Sequence, residues 1–216
     1  MATATKTTKR KISQSDEAYE LLKWKILNSE LALGRLYTEL DLCEISGFGR
    51  SPVRSALFRL QHDRLVEVLP RKGLFVRGWS SPELKAVMET RIILESKTVQ
   101  MAARKATAGQ IARLEELMNE GRKYLKNQNR KGLMRIDHEF HIKIAEASGN
   151  SVIAELIGSL KQRSNPLWFL TITGKEKLAQ VQREHEAILE AIKASDPKAA
   201  VQAMNAHINK LSEIPG

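Results

Sequence analysis

From residue 82 onward, the apolar residues of the chain recur at helical spacing, and no strand pattern interrupts them. Apolar residues at intervals of three and four line one face of a helix. Short groups of turn-forming residues divide this part of the sequence, and Asn150 in one of them is expected to cap the helix that follows. Amphipathic helices in series bury their apolar faces against one another, which predicts an all-α six-helix bundle. The six predicted helices lie near residues 82–106, 108–127, 130–147, 151–172, 175–194 and 197–212.

The N-terminal part of the chain combines three helical segments with a β-hairpin pattern. The first helix is expected to have Ser15 as its cap, and the third to have Ser51 as its cap with Pro52 at its first position. Two β-prone runs, 65–69 and 74–76, flank a short basic turn. A second short helix is joined to the third by a glycine-containing turn. This order predicts a winged helix-turn-helix in which the small hairpin is the wing.

Together the patterns predict a mainly α protein, and its length of 216 residues suits one or two domains. Four parts are expected. They are a disordered basic tail at 1–13, a winged helix-turn-helix domain at 14–78, a linker at 79–82 and a helical domain at 83–212.

The charge of the chain favours a polyanionic partner. There are 35 lysines and arginines against 25 acidic residues, which gives a formal net charge of +10. An excess of this size favours nucleic acid or an anionic membrane face. The basic residues are concentrated in the segment 49–77, where there are seven of them against two acids.

The basic residues of this segment coincide with the two parts of a winged helix-turn-helix that approach DNA. The third helix can lie in the major groove, and the amides of its first turn suit phosphate. The wing tip would meet the adjacent backbone or the minor groove, where a glycine permits close approach. The alternative is that these arginines form a solvated helix face. The DNA-binding candidates are Arg50, Ser51 and Arg54 on the helix and Arg71, Lys72 and Gly73 in the wing.

The composition argues against a membrane-spanning or secreted protein. No stretch approaches the roughly 18 uncharged apolar residues that a membrane span needs, and the N-terminal residues lack the apolar segment of a secretory signal. Cys43 is the only cysteine of the chain, so no internal disulfide can form, and its apolar surroundings predict a buried side chain. These features predict a cytoplasmic protein without a membrane partner.

Four side chains of the predicted bundle could form a metal site. Asp137 and His141 are four residues apart and project from one face of a helix. His185 and His207 lie near the apolar boundary of the last two helices, where polar side chains converge inside a bundle. A carboxylate and imidazoles suit a divalent transition metal. The alternative is that these are ordinary core or surface residues, because an Asp-x-x-x-His spacing arises by chance in many helices.

The segment 47–57, GFGRSPVRSAL, resembles the winged-helix signature of the GntR family. The resemblance continues into the wing at 71–76 and covers most of residues 15–78. It implies that this unit binds DNA. The sequence departs from the family pattern at Gly49, where a serine or threonine is usual, and at 63–64, where a glycine is usual. The first departure removes one hydroxyl that would bind phosphate.

Three further segments resemble the FCD ligand-binding domain of the FadR subfamily of GntR regulators. Arg91 and Glu95 match its opening motif, the segment 137–150 its central motif and the segment 184–207 its closing motif. The resemblance covers roughly residues 82–212. It implies a divalent metal ion, zinc or nickel, held by Asp137, His141, His185 and His207.

The same resemblance implies a small carboxylate effector bound at open metal positions. Arg91 matches the family's arginine on the first helix of the domain and could form a bidentate bond to a carboxylate. Arg163 is a second candidate for effector binding. The alternative for Arg91 is an ion pair with Glu95 on the helix surface.

These features predict a ligand-responsive, DNA-binding transcriptional regulator rather than an enzyme. The resemblance implies a homodimer that binds two half-sites of double-stranded operator DNA, and a repressor that the effector releases. The alternative is a metal-dependent, hydrolase-like enzyme with a basic nucleic-acid-binding appendage, since a metal ion with open positions can activate water. The sequence offers no His-Glu-x-x-His motif, glycine-rich phosphate loop or serine elbow to support that alternative.

Overall fold

The computed structural model describes residues 13–27, 30–63, 65–70, 73–77 and 81–212. The chain divides into two compact units, with the boundary between residues 78 and 79. The described residues are mainly helical, as the sequence predicts. The N-terminal unit contains α1 (Gln14–Leu27), β1 (Leu36–Tyr37), α2 (Glu39–Ser46), α3 (Arg50–His62), β2 (Val66–Leu69) and β3 (Gly73–Val76). The C-terminal unit contains α4 (Ser81–Lys105), α5 (Ala108–Lys126), α6 (Arg130–Ala147), α7 (Ser151–Thr171), α8 (Gly174–Lys193) and α9 (Pro197–Ser212).

Three short strands form an antiparallel sheet in the N-terminal unit, in the order β1-β3-β2. The strands β2 and β3 form the predicted hairpin, with Val66 opposite Val76 and Leu69 opposite Gly73. The strand β1 pairs with the other edge of β3. The sequence does not predict β1, because two residues are too few to show an alternating pattern. The backbone N–H of Gly34 donates to the carbonyl of Val76 at 2.8 Å, which extends this pairing beyond β1.

The first helix begins earlier than the sequence predicts. The hydroxyl of Ser13 accepts a hydrogen bond from the backbone N–H of Asp16 at 3.1 Å, and the Asp16 carboxylate accepts one from the Ser13 N–H at 3.3 Å. This reciprocal pair satisfies two backbone amides at the start of α1. The expectation that Ser15 caps the helix is therefore wrong, because the acid three residues after Ser13 favours the earlier start.

The third helix also begins two residues earlier than predicted, at Arg50. Gly49 occupies the N-cap position in an extended conformation and makes no side-chain capping bond. Ser51 is then the second residue of α3 and Pro52 the third. The prediction of Ser51 as the cap is wrong because proline is tolerated anywhere in the first turn, where the amides have no acceptor within the helix.

The turn between α2 and α3 depends on Gly47. The Thr38 hydroxyl caps the start of α2 by accepting from the backbone N–H of Asp41 at 3.1 Å. Gly47 ends this helix with a φ of 73°, a left-handed conformation that favours glycine, and its N–H donates to the carbonyl of Cys43 at 2.8 Å. Cys43 itself is only half-buried, so its predicted burial is wrong: it lies at the edge of the buried face of α2, beside the fully buried Leu42.

The C-terminal unit is the predicted bundle of six helices. Helix α4 packs against α6, α7, α8 and α9, and α8 packs also against α5. Asn150 caps α7, as predicted, by accepting a hydrogen bond from the backbone N–H of Ile153 at 3.2 Å. Within the described part of the chain, no helix is long and apolar enough to cross a membrane. The interior includes Met88, Leu117, Phe140, Ile157, Ile188 and Ile208.

Candidate metal centre and candidate DNA interface

The four predicted metal ligands lie together inside the bundle. Asp137 and His141 project from successive turns of α6, His185 comes from α8 and His207 from α9. Each offers one ligand atom, and these four atoms all lie within 4.8 Å of one another. All four side chains are buried. The three helices therefore bring to one point residues that are as much as 70 positions apart in the chain.

The spacing of these atoms suits a shared metal ion. Nε2 of His207 lies 3.2 Å from Nε2 of His141 and 3.3 Å from Nε2 of His185. Oδ1 of Asp137 lies 3.3 Å from Nε2 of His185 and 3.8 Å from Nε2 of His141. Two ligand atoms bound at 2.0–2.1 Å to one zinc ion lie about 2.9–3.4 Å apart when the angle between them is about 90–110°. Three of the four distances fall within this range.

Two carboxylates fix which ring nitrogen carries the proton in His141 and in His207. Glu95 contacts Nδ1 of His141, and Oε2 of Glu184 lies 2.9 Å from Nδ1 of His207. An ionised carboxylate only accepts hydrogen bonds, so each Nδ1 carries the proton and each Nε2 carries a lone pair. Carboxylates orient metal-binding histidines in this way. The two lone pairs then face each other across 3.2 Å, an arrangement that a cation between them stabilises.

Burial keeps His141 and His207 neutral. Burial lowers the pKa of His141 well below its ordinary value and lowers that of His207 to about 4, although in both cases a neighbouring carboxylate favours the charged form. Neutral imidazole is the form that binds a metal ion. At neutral pH, therefore, neither of these two side chains has to lose a proton when a metal ion binds.

The buried acids, in contrast, stay ionised. Burial raises the pKa of Asp137, but Lys161 and the other neighbouring groups together outweigh that effect, and the pKa lies well below the ordinary value. Burial likewise raises the pKa of Glu95, but Arg91, His141 and Lys161 together outweigh that effect, so this pKa is lowered. Oδ1 of Asp137 is buried and forms no hydrogen bond with any described residue. An ionised oxygen left in this way, next to three imidazole nitrogens, fits the role of a metal ligand.

Arg91 lies beside the cluster and is fully buried. Its Nε donates to Oε1 of Glu95 at 2.7 Å and its Nη1 to the Ser164 hydroxyl at 3.2 Å, whereas Nη2 has no hydrogen-bond partner among the described residues. The ion pair with Glu95, one of the two alternatives from the sequence, is present but lies in the interior rather than on the surface. One nitrogen, Nη2, is left for a ligand.

Lys161 is a second buried cation, which the sequence analysis did not single out. Its Nζ donates to Oδ2 of Asp137 at 2.5 Å. The signal for its burial is its spacing, because Lys161 lies four residues after the buried Ile157 and seven before the buried Trp168 on α7. Arg163, the predicted effector residue on the same helix, is half-buried and lies about 200° around the helix from Lys161. Its effector role stays a prediction.

The first residues of α3 form the candidate DNA interface. Arg50, Ser51 and Arg54 line a shallow concave surface together with Ser55 and Phe58. The helix contains no acidic residue, and no side chain caps its first turn. The positive end of the helix dipole and its unpaired amides therefore point away from the unit toward solvent, which suits phosphate.

Arg54 is held by a carboxylate of α2. Its Nε and Nη2 donate to the two carboxylate oxygens of Glu39 at 3.2 and 3.1 Å, and the arginine side chain is still 64% exposed. The pair fixes the direction of the guanidinium group, because a bidentate contact restricts its rotation. The exposed part of the guanidinium group keeps access to a ligand in front of α3.

The wing contributes Gly73 to the described residues, whereas Arg71 and Lys72 lie outside them. Gly73 has a φ of 116°, and a Cβ atom there would collide with the backbone carbonyl of Tyr37 in β1. The glycine is therefore required by the close approach of two strands. Its predicted close approach to DNA stays a prediction.

Comparisons with known proteins agree with the description of both the N-terminal unit and the helical bundle. Residues 14–76 match the model of the gntR family of bacterial regulatory proteins, and residues 86–210 match that of the FCD domain. The chain is 27% identical over 192 residues to the uncharacterized HTH-type transcriptional regulator YdhC of Bacillus subtilis (88% of this chain and 86% of that protein). It is 26% identical to the galactonate operon transcriptional repressor of Escherichia coli K12 (89% of this chain and 92% of that protein).

The solved structure of E. coli McbR/YncC has a similar fold, with a TM-score of 0.75 at 21% identity over 92% of this chain and 95% of that one. A likeness at this level of identity concerns the fold alone. The family models and the curated relatives give information about function, because these relatives are regulators of transcription rather than enzymes. The chain belongs to the GntR family of bacterial regulatory proteins, with a winged helix-turn-helix followed by an FCD domain.

Proposed function

We propose that this chain is a transcriptional repressor that binds operator DNA as a homodimer and is released by a small carboxylate effector at a metal site in its bundle. The observation that carries the proposal is the buried cluster of four ligand atoms with two histidine tautomers fixed by carboxylates. Metal binding is a known property of FCD domains. The proposed ligands are Asp137, His141, His185 and His207, and the proposed ion is zinc or nickel.

The charges around the cluster support an anionic effector. The ionised Asp137 and Glu95 are balanced by Arg91 and Lys161, so a divalent ion would add two positive charges to a neutral group of buried residues. A buried excess charge is costly unless it is paired. The ion would also supply open coordination positions that a carboxylate can fill. Arg91 is proposed to donate through Nη2, and Arg163 is a second proposed contact.

The DNA-binding part of the proposal rests on α3 and the wing. Arginine forms bidentate bonds to guanine in the major groove, and the first-turn amides bind phosphate. A homodimer would present two such helices to the two halves of a pseudopalindromic operator. The proposed DNA contacts are Arg50, Ser51, Arg54, Arg71, Lys72 and Gly73.

Several expectations from the sequence stand as parts of this proposal. The predicted tail at 1–13 lies outside the described residues except for Ser13, which caps α1; it would add phosphate contacts or remain solvated. The segments 14–78 and 83–212 would bind DNA and effector respectively, joined at 79–82. The protein would act in the cytoplasm. Its placement in the FadR subfamily, within the GntR family, is proposed on the same motifs.

The proposal is tested by operator binding of the full-length protein. A randomised duplex pool is enriched for bound sequences, and binding of the enriched duplex is measured by mobility shift. Two bidentate arginine contacts are worth about 1–3 kcal/mol each, so Arg50→Ala with Arg54→Ala should weaken binding by about thirtyfold or more. Replacement of the exposed Arg104 and Lys105 at the end of α4 by alanine is the matched control.

The expected outcome is that the control binds as the wild type does and the double α3 variant loses the enriched sequence. Full binding by the double variant would count against the proposed interface. The effector part is tested by adding zinc or nickel and then a set of small carboxylates. A carboxylate that raises the melting temperature of the metal-loaded protein should also release the duplex. If no carboxylate that stabilises the protein in this way releases the duplex, the proposed role of the effector is refuted.

A further inference from the structure

An apolar side chain occupies the centre of the solvent-facing side of α3. Phe58 is 67% exposed, although phenylalanine is ordinarily among the most buried residue types. At 100° per residue, Phe58 lies about 150° around the helix from the mean direction of the buried Val53, Ala56, Leu57 and Leu60. The exposure therefore does not come from a position at the edge of the core. Phe58 points away from the buried face of α3.

The charges around Phe58 identify what could cover it. Arg54 lies one turn before it and Arg50 two turns before it, and these side chains line one shallow concave surface. No acidic residue is present in α3. Arg54 is paired with Glu39, but 64% of its side chain is still exposed. An apolar protein surface would leave the exposed parts of Arg50 and Arg54 without an anionic partner, and an acidic one would leave Phe58 without an apolar contact. The major groove of duplex DNA offers phosphates and base edges together. Charge complementarity therefore favours DNA as the occupant.

The base edges of the major groove include one apolar group, the 5-methyl group of thymine. Arginine is suited to guanine, and phenylalanine to this methyl group. Phe58 lies about 6 Å along the helix axis from Arg54, and successive base pairs are about 3.4 Å apart. A helix that places Arg54 on one base pair thus places Phe58 about two base pairs away.

We propose that Phe58 is a specificity-determining residue that contacts the 5-methyl group of a thymine in the major groove, about two base pairs from the base bound by Arg54. This inference rests on the proposed DNA-binding function and adds a base preference to it. Removal of that methyl group should weaken the wild-type complex, and only at the base that Phe58 contacts.

The experiment compares duplexes that differ by single methyl groups. The sequence enriched by the full-length wild-type protein is synthesised with each thymine in turn replaced by deoxyuridine, which retains every hydrogen-bonding group. Affinities for wild type, Phe58→Ala and His62→Ala are measured at one salt concentration. His62 is the matched control because its side chain is 90% exposed and lies at the end of the same helix.

For wild type, one position in a half-site should show about a fourfold loss of affinity when thymine is replaced, the value of one buried methyl group. His62→Ala should keep this ratio. Phe58→Ala should bind thymine and deoxyuridine duplexes equally at that position, while its melting temperature stays that of wild type because the side chain is exposed.

The outcomes separate this inference from the function on which it rests. If no duplex is enriched or bound by wild type, the proposed function fails and the inference fails with it. If an enriched duplex is bound through Arg50 and Arg54 but no deoxyuridine position depends on Phe58, the inference alone is wrong. A change in oligomeric state of Phe58→Ala, measured by light scattering, with unchanged methyl discrimination, would assign Phe58 to a protein contact and also overturn it.

Discussion

Replacement of Glu184 by glutamine tests whether carboxylates fix the histidine tautomers at the candidate metal site. Oε2 of Glu184 lies 2.9 Å from Nδ1 of His207, and its Oε1 lies 2.7 Å from Nζ of Lys210. Glutamine keeps the shape of the side chain but can turn its amide nitrogen toward Nδ1. That orientation favours the tautomer with the proton on Nε2, the atom that faces the cluster. A proton there must be lost or moved before a metal ion can bind.

The size of the effect follows from the surroundings of Glu184. Loss of a carboxylate that supports a metal-binding histidine costs about 10- to 100-fold in affinity, or about 1.4–2.8 kcal/mol. Burial raises the pKa of Glu184, but His207 and Lys210 outweigh it and lower the pKa to about 2, so the wild-type side chain is charged at neutral pH. The Glu184 side chain is 14% exposed and contacts Lys210 as well as His207. We therefore expect a loss of zinc affinity near the lower end of this range, about tenfold.

Competition with a chromophoric chelator for zinc, at neutral pH and with the full-length protein, measures this loss. Glu186→Gln is the matched control, since Glu186 lies on the same helix but pairs with Arg122 instead of a histidine. The control should bind zinc as wild type does. An affinity of Glu184→Gln within twofold of wild type, or an equal loss in the control, would refute the tautomer reasoning.

Four further predictions follow from the same structure. Glu95→Gln removes the charged partner of the buried Arg91 and should lower the free energy of unfolding by about 3–5 kcal/mol, measured by denaturant titration, whereas Glu186→Gln, which affects an exposed pair with Arg122, should change it by less than about 1 kcal/mol. Without metal, the free energy of unfolding should fall as the pH drops from about 6.5 toward 4. The pKa of the buried His207 is lowered to about 4, so over this interval the unfolded chain binds the proton more readily than the folded one. A melting temperature that does not change over this interval would contradict the prediction. Removal of bound metal with a chelator should lower the melting temperature, and added zinc should restore it. Replacement of both Arg71 and Lys72 by alanine should reduce the slope of log affinity for DNA against log salt concentration by roughly two, since each contacts phosphate in the proposed complex.

Most of the fold could be predicted from the sequence because its helices are long and regularly patterned. The six bundle helices begin and end close to the predicted residues, since apolar periodicity over 16 or more residues leaves little ambiguity. Short features were harder. The two-residue strand β1 shows no pattern of its own, and the starts of α1 and α3 were misplaced because several residues near each start could serve as caps.

The candidate metal site could be predicted only in part from spacing. The i,i+4 relation places Asp137 and His141 on one face, and the apolar boundary of the last two helices places His185 and His207 toward the interior. Spacing alone leaves open whether all four meet at one point, and the resemblance to the FCD domain strengthened that expectation. Lys161 and the contact between Glu184 and His207 were missed for a physical reason. Each depends on which helix packs against which, and the sequence pattern of one helix carries no information about its neighbour.

The position of Arg91 sets a requirement for any effector that switches this protein. A shift of a two-state equilibrium from 1:99 to 99:1 needs about 10⁴-fold preference for one state, or about 5.5 kcal/mol, whereas a single hydrogen bond to a charged group contributes about 1.5–3 kcal/mol. Nε and Nη1 of Arg91 already donate to Glu95 and Ser164, so among the described residues only Nη2 is left for a ligand. The two N–H groups of Nη2 together would contribute about 3–6 kcal/mol, so an effector that contacted Arg91 alone would reach the required difference only at the upper end of this range. In the proposed function, an effector that bonds Nη2 on α4 and also a metal ion held from α6, α8 and α9 would contact groups from four helices at once, and such a ligand would favour one arrangement of those helices more strongly than one that contacts Arg91 alone.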